Sequence, residues 1–257
     1  MMAPAAKGKV DLDGTRTFLE QLGLLHAAER LTELVNESVK TNLSAHRFLD
    51  ELLSSELANR EERRIKTSLR LSGLPPGQTL GNFDFAFQPS IEKSRIETLA
   101  TCGWIREHQT ILIQGPPGVG KTHLAVSLGV KAIQNGFSVA FFRLDDLLHN
   151  MKQDAELAPK ALRRKKYVNV SLLIIDEVGF QMMSRQEASL FFRLVSTRYE
   201  RGAMLITTNK AVKDWPEMLA GDEVMATALL DRLLHKCHVL NIKGRSYRLR
   251  DLERLLK

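Results

Sequence analysis

The stretch Ile111-Leu-Ile-Gln-Gly-Pro-Pro-Gly-Val-Gly-Lys-Thr-His-Leu-Ala125 constrains the fold more than any other part of this chain. An apolar run passes into a Gly/Pro loop that ends in Lys-Thr, and an apolar-periodic segment follows. The spacing is G-x-x-x-x-G-K-T, which sets a strand, a phosphate-binding loop and a helix in that order. Gly115, Gly118 and Gly120 allow backbone angles that a side chain forbids. The loop Gly115-Pro116-Pro117-Gly118-Val119-Gly120 can therefore turn its N–H groups inward around an anion. A helix starting near Lys121 adds its positive end. In such a loop Lys121 neutralises the β- and γ-phosphates and the Thr122 hydroxyl ligates Mg²⁺. His123 borders the loop and is grouped with it as nucleotide-binding, although the sequence offers it no acid/base partner.

A phosphate loop of this kind belongs in an α/β domain, and the rest of the chain reads that way. Beyond the loop, helices are expected over 122–134, 145–153, 185–201 and 224–234. Strands are expected over 138–142, 172–175, 203–207 and 239–242. This alternation is that of a parallel sheet flanked by helices. Residues 1–14 are small and polar and are expected to be disordered. Residues 15–77 make a helical N-terminal domain and linker, and residues 78–257 the nucleotide-binding domain. In the helical part Leu24, Leu25, Ala28, Leu31, Leu34 and Val35 recur at helical spacing. Ser44 caps a second helix with Phe48, Leu49, Leu52, Leu53 and Leu57 on one side. Further along, Arg60, Arg63, Arg64, Lys66 and Arg70 make that helix basic. They form either a solvated face with pairs such as Glu56–Arg60 or a surface that rides on DNA or a partner. Gly73-Leu-Pro-Pro-Gly77 ends the helical region. Phe83, Phe85 and Phe87 alternate, as in an extended segment with one buried face or rings that flank a base. Ser90 is expected to cap a helix running to about residue 101.

Composition narrows the class. The 257 residues are 44% hydrophobic and 26% charged, which suits a water-soluble globular protein. No apolar run is long enough to span a membrane, and the N-terminus lacks a secretory signal, so the cytoplasm is the expected location. Cys102 and Cys237 are isolated, implying neither a disulfide framework nor a zinc site. The net charge of +7 favours a nucleic-acid partner without establishing one. Arg163, Arg164, Lys165 and Lys166 add a second basic cluster to the DNA-contact candidates.

Three further stretches carry chemistry. Leu172-Leu-Ile-Ile-Asp176-Glu177 is an apolar strand ending in two acids. Asp176 would hold Mg²⁺, partly through water, and Glu177 would polarise a water attacking the γ-phosphate. Asn209 ends the next strand, where ligands bind in parallel sheets, and would either orient that water or start a turn. Arg232 projects opposite the helical face of Leu229, Leu230, Leu233 and Leu234, either into solvent or toward the phosphate of a neighbouring subunit. His235-Lys-Cys-His238 fits no closed zinc site.

Together these motifs resemble the AAA+ ATPases, and residues 55–252 resemble the IstB-type transposition helper ATPases of insertion sequences. The resemblance rests on Phe83-Asp-Phe with Gln88-Pro-Ser, the phosphate loop, Leu173-Ile-Ile-Asp-Glu-Val-Gly and Arg198-Tyr-Glu-Arg-Gly. It continues through Thr207-Thr-Asn-Lys, Trp215, Gly221-Asp-Glu-Val-Met-Ala-Thr-Ala-Leu-Leu-Asp-Arg-Leu-Leu-His and Gly244-Arg-Ser-Tyr-Arg. It implies an ATP- and Mg²⁺-dependent ATPase that oligomerises on duplex DNA and recruits a cognate transposase. It makes Asn209 sensor I and Arg232 an arginine finger acting in trans. The related DnaC-type helicase loaders supply the alternative, a loader of a replicative helicase. The same branch implies an extra helix within 145–167. The sequence departs from its relatives at Phe180-Gln-Met-Met. It ends too early for a full helical lid, so neither Arg245 nor Arg248 is assigned a nucleotide-sensing role.

Overall fold

The computed structural model describes residues 11–250, and the chain divides into two compact units, Met1–Thr67 and Ser68–Lys257. The first unit is helical. Helix α1 (Asp13–Gln21) and helix α2 (Leu25–Thr41) precede a long helix, α3 (Ala45–Ser72). Helix α1 begins inside the stretch expected to be disordered; residues 1–10 of that stretch lie outside the described residues. Asn42, in the left-handed region at φ +53°, ends α2, and the Ser44 hydroxyl accepts from Arg47 N at 3.5 Å at the next start.

Ala27, Leu31, Leu34 and Leu52 form the core of this unit, with Leu24, Val35 and Phe48 packed against it. Of the α3 leucines expected to share one apolar side, Leu49, Leu53 and Leu57 are exposed. The packed stripe is narrower than the sequence suggested. Part of its place is taken by Glu56, 4% exposed, which accepts from Ala27 N at 3.0 Å and from Arg60 Nε at 2.7 Å. A buried carboxylate is tolerated because both bonds are charge-assisted. The Gly73–Gly77 turn closes α3 with Gly73 at φ +77°.

The second unit takes in the last residues of α3 and continues as irregular chain. The Phe83-Asp-Phe-Ala-Phe segment is a succession of turns, not an extended strand. Asp84 Oδ1 accepts from Phe87 N at 3.0 Å, the local side-chain bond that turns the backbone. Phe83, Phe85 and Phe87 are only half-buried. Helix α4 (Lys93–Ala100) starts later than expected, and Ser90 is not its cap. The Ser90 hydroxyl accepts from Lys243 N instead, at 3.0 Å. Helix α5 (Gly103–Arg106) then leads into the sheet.

The sheet elements follow in alternation: β1 (Thr110–Gln114), α6 (Lys121–Gln134), β2 (Val139–Arg143), α7 (Leu144–Gln153), α8 (Pro159–Leu162) and α9 (Lys166–Asn169). After them come β3 (Leu172–Val178), α10 (Arg185–Arg198), β4 (Ala203–Thr208), α11 (Trp215–Met218), α12 (Glu223–Leu234) and β5 (Cys237–Asn241). The strands lie in the order β2-β3-β4-β1-β5, all parallel. The central strands β3, β4 and β1 are nearly continuously buried because both faces are covered. Leu112, Leu173, Ile175, Met204 and Ile206 pack in one cluster with residues of α7, α10 and α12. Ile174 points the other way, onto α6, where Gly129 makes room for it.

The central strands end flush. Thr110 of β1 is level with Met204 and Cys237, and Gln114 is level with Thr208 and Asn241. One edge of the sheet therefore gathers the carboxyl ends, and the opposite edge the amino ends. Arg198 closes part of the latter. Buried at 2% exposure, its guanidinium donates to Val168 O, Val170 O and Ala203 O at 2.9, 3.0 and 2.8 Å. Burial lowers its pKa to about 10.

Candidate functional site

The carboxyl edge holds a cleft of about 330 Å³. Its floor is the turn from β1 into α6. Gly118 and Gly120 sit at φ +80° and +95°, left-handed values that an L side chain resists. Close neighbours add to the demand for glycine: a Cβ on Gly118 would collide with Ser246, and one on Gly120 would meet the Phe83 ring at 2.7 Å. Pro117, Val119, Lys121, Thr122 and His123 also line the cleft. Gly115 and Pro116 lie behind it and present carbonyls, each accepting from Lys121 Nζ at 2.8 Å. Burial lowers the Lys121 pKa, the Arg248 charge lowers it further, and Asp176 and Glu177 oppose both.

The two acids at the end of β3 are neighbours in sequence with opposite environments. Asp176 is buried. Thr122 Oγ1 donates to its two oxygens at 3.0 Å each, and Thr207 Oγ1 donates to Oδ1 at 2.5 Å. Glu177 is exposed between buried Asp176 and Val178. The register of β3 against β4 slips between Ile175 and Val178, and Glu177 takes φ +63°. A bulge of this kind turns one side chain out of the sheet, here toward the cleft that Glu177 lines. Thr207 holds the kink, since its hydroxyl also accepts from Glu177 N at 3.0 Å. Arg143, last residue of β2, stands 3.4 Å from the Glu177 carboxylate.

Asn209, one residue past β4, lines the same cleft. Arg232 does not. It lies near the C-terminus of α12, half-buried, with its guanidinium on Ala228 O at 2.7 Å and 5.1 Å from the Phe192 ring centre. It shares a small surface depression with Thr110, Met204, His235 and Lys236, residues at the amino edge of the sheet. The leucine face behind it is narrower than the sequence suggested, with Leu229 and Leu233 buried and Leu234 exposed. His235 and His238 serve different contacts: Nδ1 of the former is 2.9 Å from Tyr199 Oη, and Nε2 of the latter 2.8 Å from Gln109 Oε1. Among the described residues no group of three potential metal-ligating side chains gathers.

The basic candidates divide. Arg60 bonds Glu56 and Gly23 O, and Arg64 forks onto Glu61 at 2.8 and 2.6 Å. Lys165 pairs with Asp154 at 2.6 Å, and Lys166 donates to Leu71 O at 3.0 Å. Arg63, Lys66, Arg70, Arg163 and Arg164 are exposed.

Several cleft residues had no role in the sequence reading, apart from Phe83, which was among the rings that could flank a base. Gln78, Asn82, Phe83, Asp84 and Gln88 line the cleft from one side and Tyr247 and Arg248 from another; Arg245 does not. The two segments are tied together: Gln88 Nε2 donates to Arg245 O at 3.0 Å, and Arg250 meets Asp84 at 3.3 Å. Tyr247 N donates to Gly118 O at 2.9 Å. Their trace in the sequence is the pair of blocks Phe83-Asp-Phe…Gln88-Pro-Ser and Gly244-Arg-Ser-Tyr-Arg, which carry no nucleotide-site spacing of their own.

A parallel sheet of this strand order, with a Gly-rich loop leading into a helix and a bulged acid pair on the next strand but one, is an AAA+ P-loop fold. Solved structures agree on the fold. AMPPCP-bound DnaA from Aquifex aeolicus aligns with a TM-score of 0.54 at 21% identity, covering 72% of this chain and 56% of that one. DnaI aligns with a TM-score of 0.53 at 16% identity, covering 64% and 90%. Sequence gives the family. The family model described as IstB-like ATP binding protein matches residues 17–254, and the chain belongs to that family. It is 42% identical over 237 residues to an insertion sequence IS21 putative ATP-binding protein of Pseudomonas aeruginosa, covering 91% of this chain and 88% of the relative. It is 38% identical to the IS5376 putative ATP-binding protein of Geobacillus stearothermophilus, covering 91% and 93%.

Proposed function

We propose that the chain is an ATPase that assembles on duplex DNA and assists a transposase of its own insertion sequence. The observation that carries this reading is the split environment of the acid pair. Asp176 is fixed by Thr122 and Thr207, while Glu177 is turned outward into the same cleft. Thr122 Oγ1 and the Asp176 carboxylate are hard oxygen donors, a set that suits Mg²⁺, which would neutralise phosphate charge. Lys121 and the loop N–H groups would hold the phosphates. Glu177, held by Thr207, would take the proton of the attacking water, and Asn209 would orient it. Arg248 lines the cleft from the same chain and would add positive charge.

Arg232 lines a separate depression at the amino edge and not this cleft. The strand β1 alone separates the edges by on the order of 13 Å at about 3.3 Å per residue. It would act on a neighbour's nucleotide, making the ATP site a property of a homo-oligomer. Insertion-sequence relatives support the transposase as partner, and exposed Arg63, Lys66, Arg70, Arg163 and Arg164 support phosphate contacts.

The test is ATP turnover by wild type and Glu177→Gln, with and without duplex DNA, across a salt series. Turnover should fall by about 10³-fold in the variant while ATP binding persists. DNA affinity should fall steeply with salt. Unchanged turnover in Glu177→Gln removes the role of that acid. Capture of a replicative helicase in place of a transposase would point to a DnaC-like loader.

A further inference from the structure

Arg232 and Arg250 are both seated on aromatic rings, and they differ in one respect. Arg250 lies 4.3 Å from the Tyr247 ring centre and also meets the Asp84 carboxylate at 3.3 Å, so its charge is balanced within the chain. Arg232 lies 5.1 Å from the Phe192 ring centre and forms no ion pair among the described residues. The acid that shares its depression, Glu200, faces Lys236 instead, at 3.7 Å. The bond from Nη1 to Ala228 O at 2.7 Å leaves the other guanidinium N–H groups without a partner among the described residues. A half-buried cation that is partly desolvated and not neutralised is poised for an anion from outside its own chain.

The ring beneath it is firmly placed. Phe192 belongs to α10, is half-buried, and packs against the sheet core. The residue after α10 supports the end of α12 a second time: Tyr199 Oη is 2.9 Å from His235 Nδ1, with ring centres 5.7 Å apart. A long arginine side chain has much rotamer freedom, and a rigid neighbour removes part of it before any ligand arrives. A carboxylate in place of the ring would also fix the guanidinium, but it would cancel the charge that a phosphate needs. The negative face of a ring attracts the cation without occupying its N–H edge.

We propose that Phe192 is a positioning residue for Arg232, its ring holding the guanidinium with N–H groups free for the terminal phosphate bound by a second copy of this chain. The proposal rests on the trans role given to Arg232 above, and the experiment separates the two. ATP turnover of the full chain is measured with duplex DNA. Phe192→Leu should lower kcat about fivefold with KM for ATP within about twofold of wild type, while Phe192→Tyr, which keeps a ring, should hold kcat within about twofold. Phe192→Met, a second apolar variant without a ring, should match Phe192→Leu. In an Arg232→Ala background, Phe192→Leu should lower kcat no further, because the ring acts only through the guanidinium. Mixing with Lys121→Ala, which brings an intact Phe192 and Arg232, should restore part of the Phe192→Leu loss; mixing with Arg232→Ala should not. Equal losses in Phe192→Tyr and Phe192→Leu, recovery on mixing with Arg232→Ala, or a further loss of about fivefold in the Arg232→Ala background overturns the proposal. Undiminished turnover in Arg232→Ala overturns the trans reading itself and the proposal with it.

Discussion

The two edges of the sheet are built from the same strands and are chemically unlike. At the carboxyl edge β1, β3 and β4 each run on into a residue that faces one cleft: the phosphate loop, Glu177 and Asn209. At the amino edge the strands begin from carbonyls gathered by one buried guanidinium, that of Arg198, and Arg232 lies against the outside. A parallel sheet makes this separation unavoidable, since all carboxyl ends lie together. A residue in the last turn of the helix that enters β5 therefore lies at the far edge, whatever its distance in sequence from the nucleotide motifs. The comparison makes Arg232 either decorative or a gift to another subunit.

Mixing proteins breaks that alternative with the largest expected effect. Arg232→Ala and Lys121→Ala should each lose about 10³-fold in turnover, but only Lys121→Ala should lose ATP binding. An equimolar mixture should recover part of the activity, because intact Lys121 sites of one protein would meet intact Arg232 of the other. A mixture as inactive as its parts would place Arg232 among structural residues. The amino edge itself is tested next. Arg198→Met leaves the Val168, Val170 and Ala203 carbonyls without their donor, and urea unfolding should show a loss of about 3 kcal/mol. ATP affinity of the folded protein should stay within about twofold of wild type, since the contact lies at the other end of the strands.

The smallest effect concerns the helix that follows the acid pair. Ser184 and Glu187 cap α10 reciprocally, and Lys152 donates to Glu187 at 2.8 Å. The Lys152 hydrogen bond, followed by those from Ser184, lowers the Glu187 pKa to about 2 from its ordinary 4.5. A depressed carboxylate stabilises the fold fully above its unfolded pKa and loses that contribution as pH falls toward the folded one. Glu187→Gln should therefore cost about 1–2 kcal/mol at pH 7, screening included, and the gap to wild type should narrow between pH 4.5 and 2. A gap independent of pH would mean that the cap works without its charge.

Much of the carboxyl edge was legible because its groups are adjacent in sequence. The loop from Gly115 to Thr122 and the Asp176-Glu177 pair are contiguous, and strand ends in a parallel sheet converge. What could not be read depends on long-range contacts. Thr207 reaches Asp176 across 31 residues, and Gln88 reaches Arg245 across 157. The alternation of Phe83, Phe85 and Phe87 imitated a strand, but Asp84 bonds its own backbone and turns the chain first. The α3 leucines had helical spacing without a partner for each, since α1 and α2 do not cover the whole helix. The placement of Arg232 at the amino edge likewise depends on the tertiary fold and could not be read from a helical wheel.

The left-handed backbone at Glu177 has a consequence for any search that scores the fold alone. A residue with a side chain pays on the order of 1 kcal/mol to stand at φ +63°, and glycine would not. Selection for thermal resistance alone would thus drift toward glycine at the position that aims the outward acid.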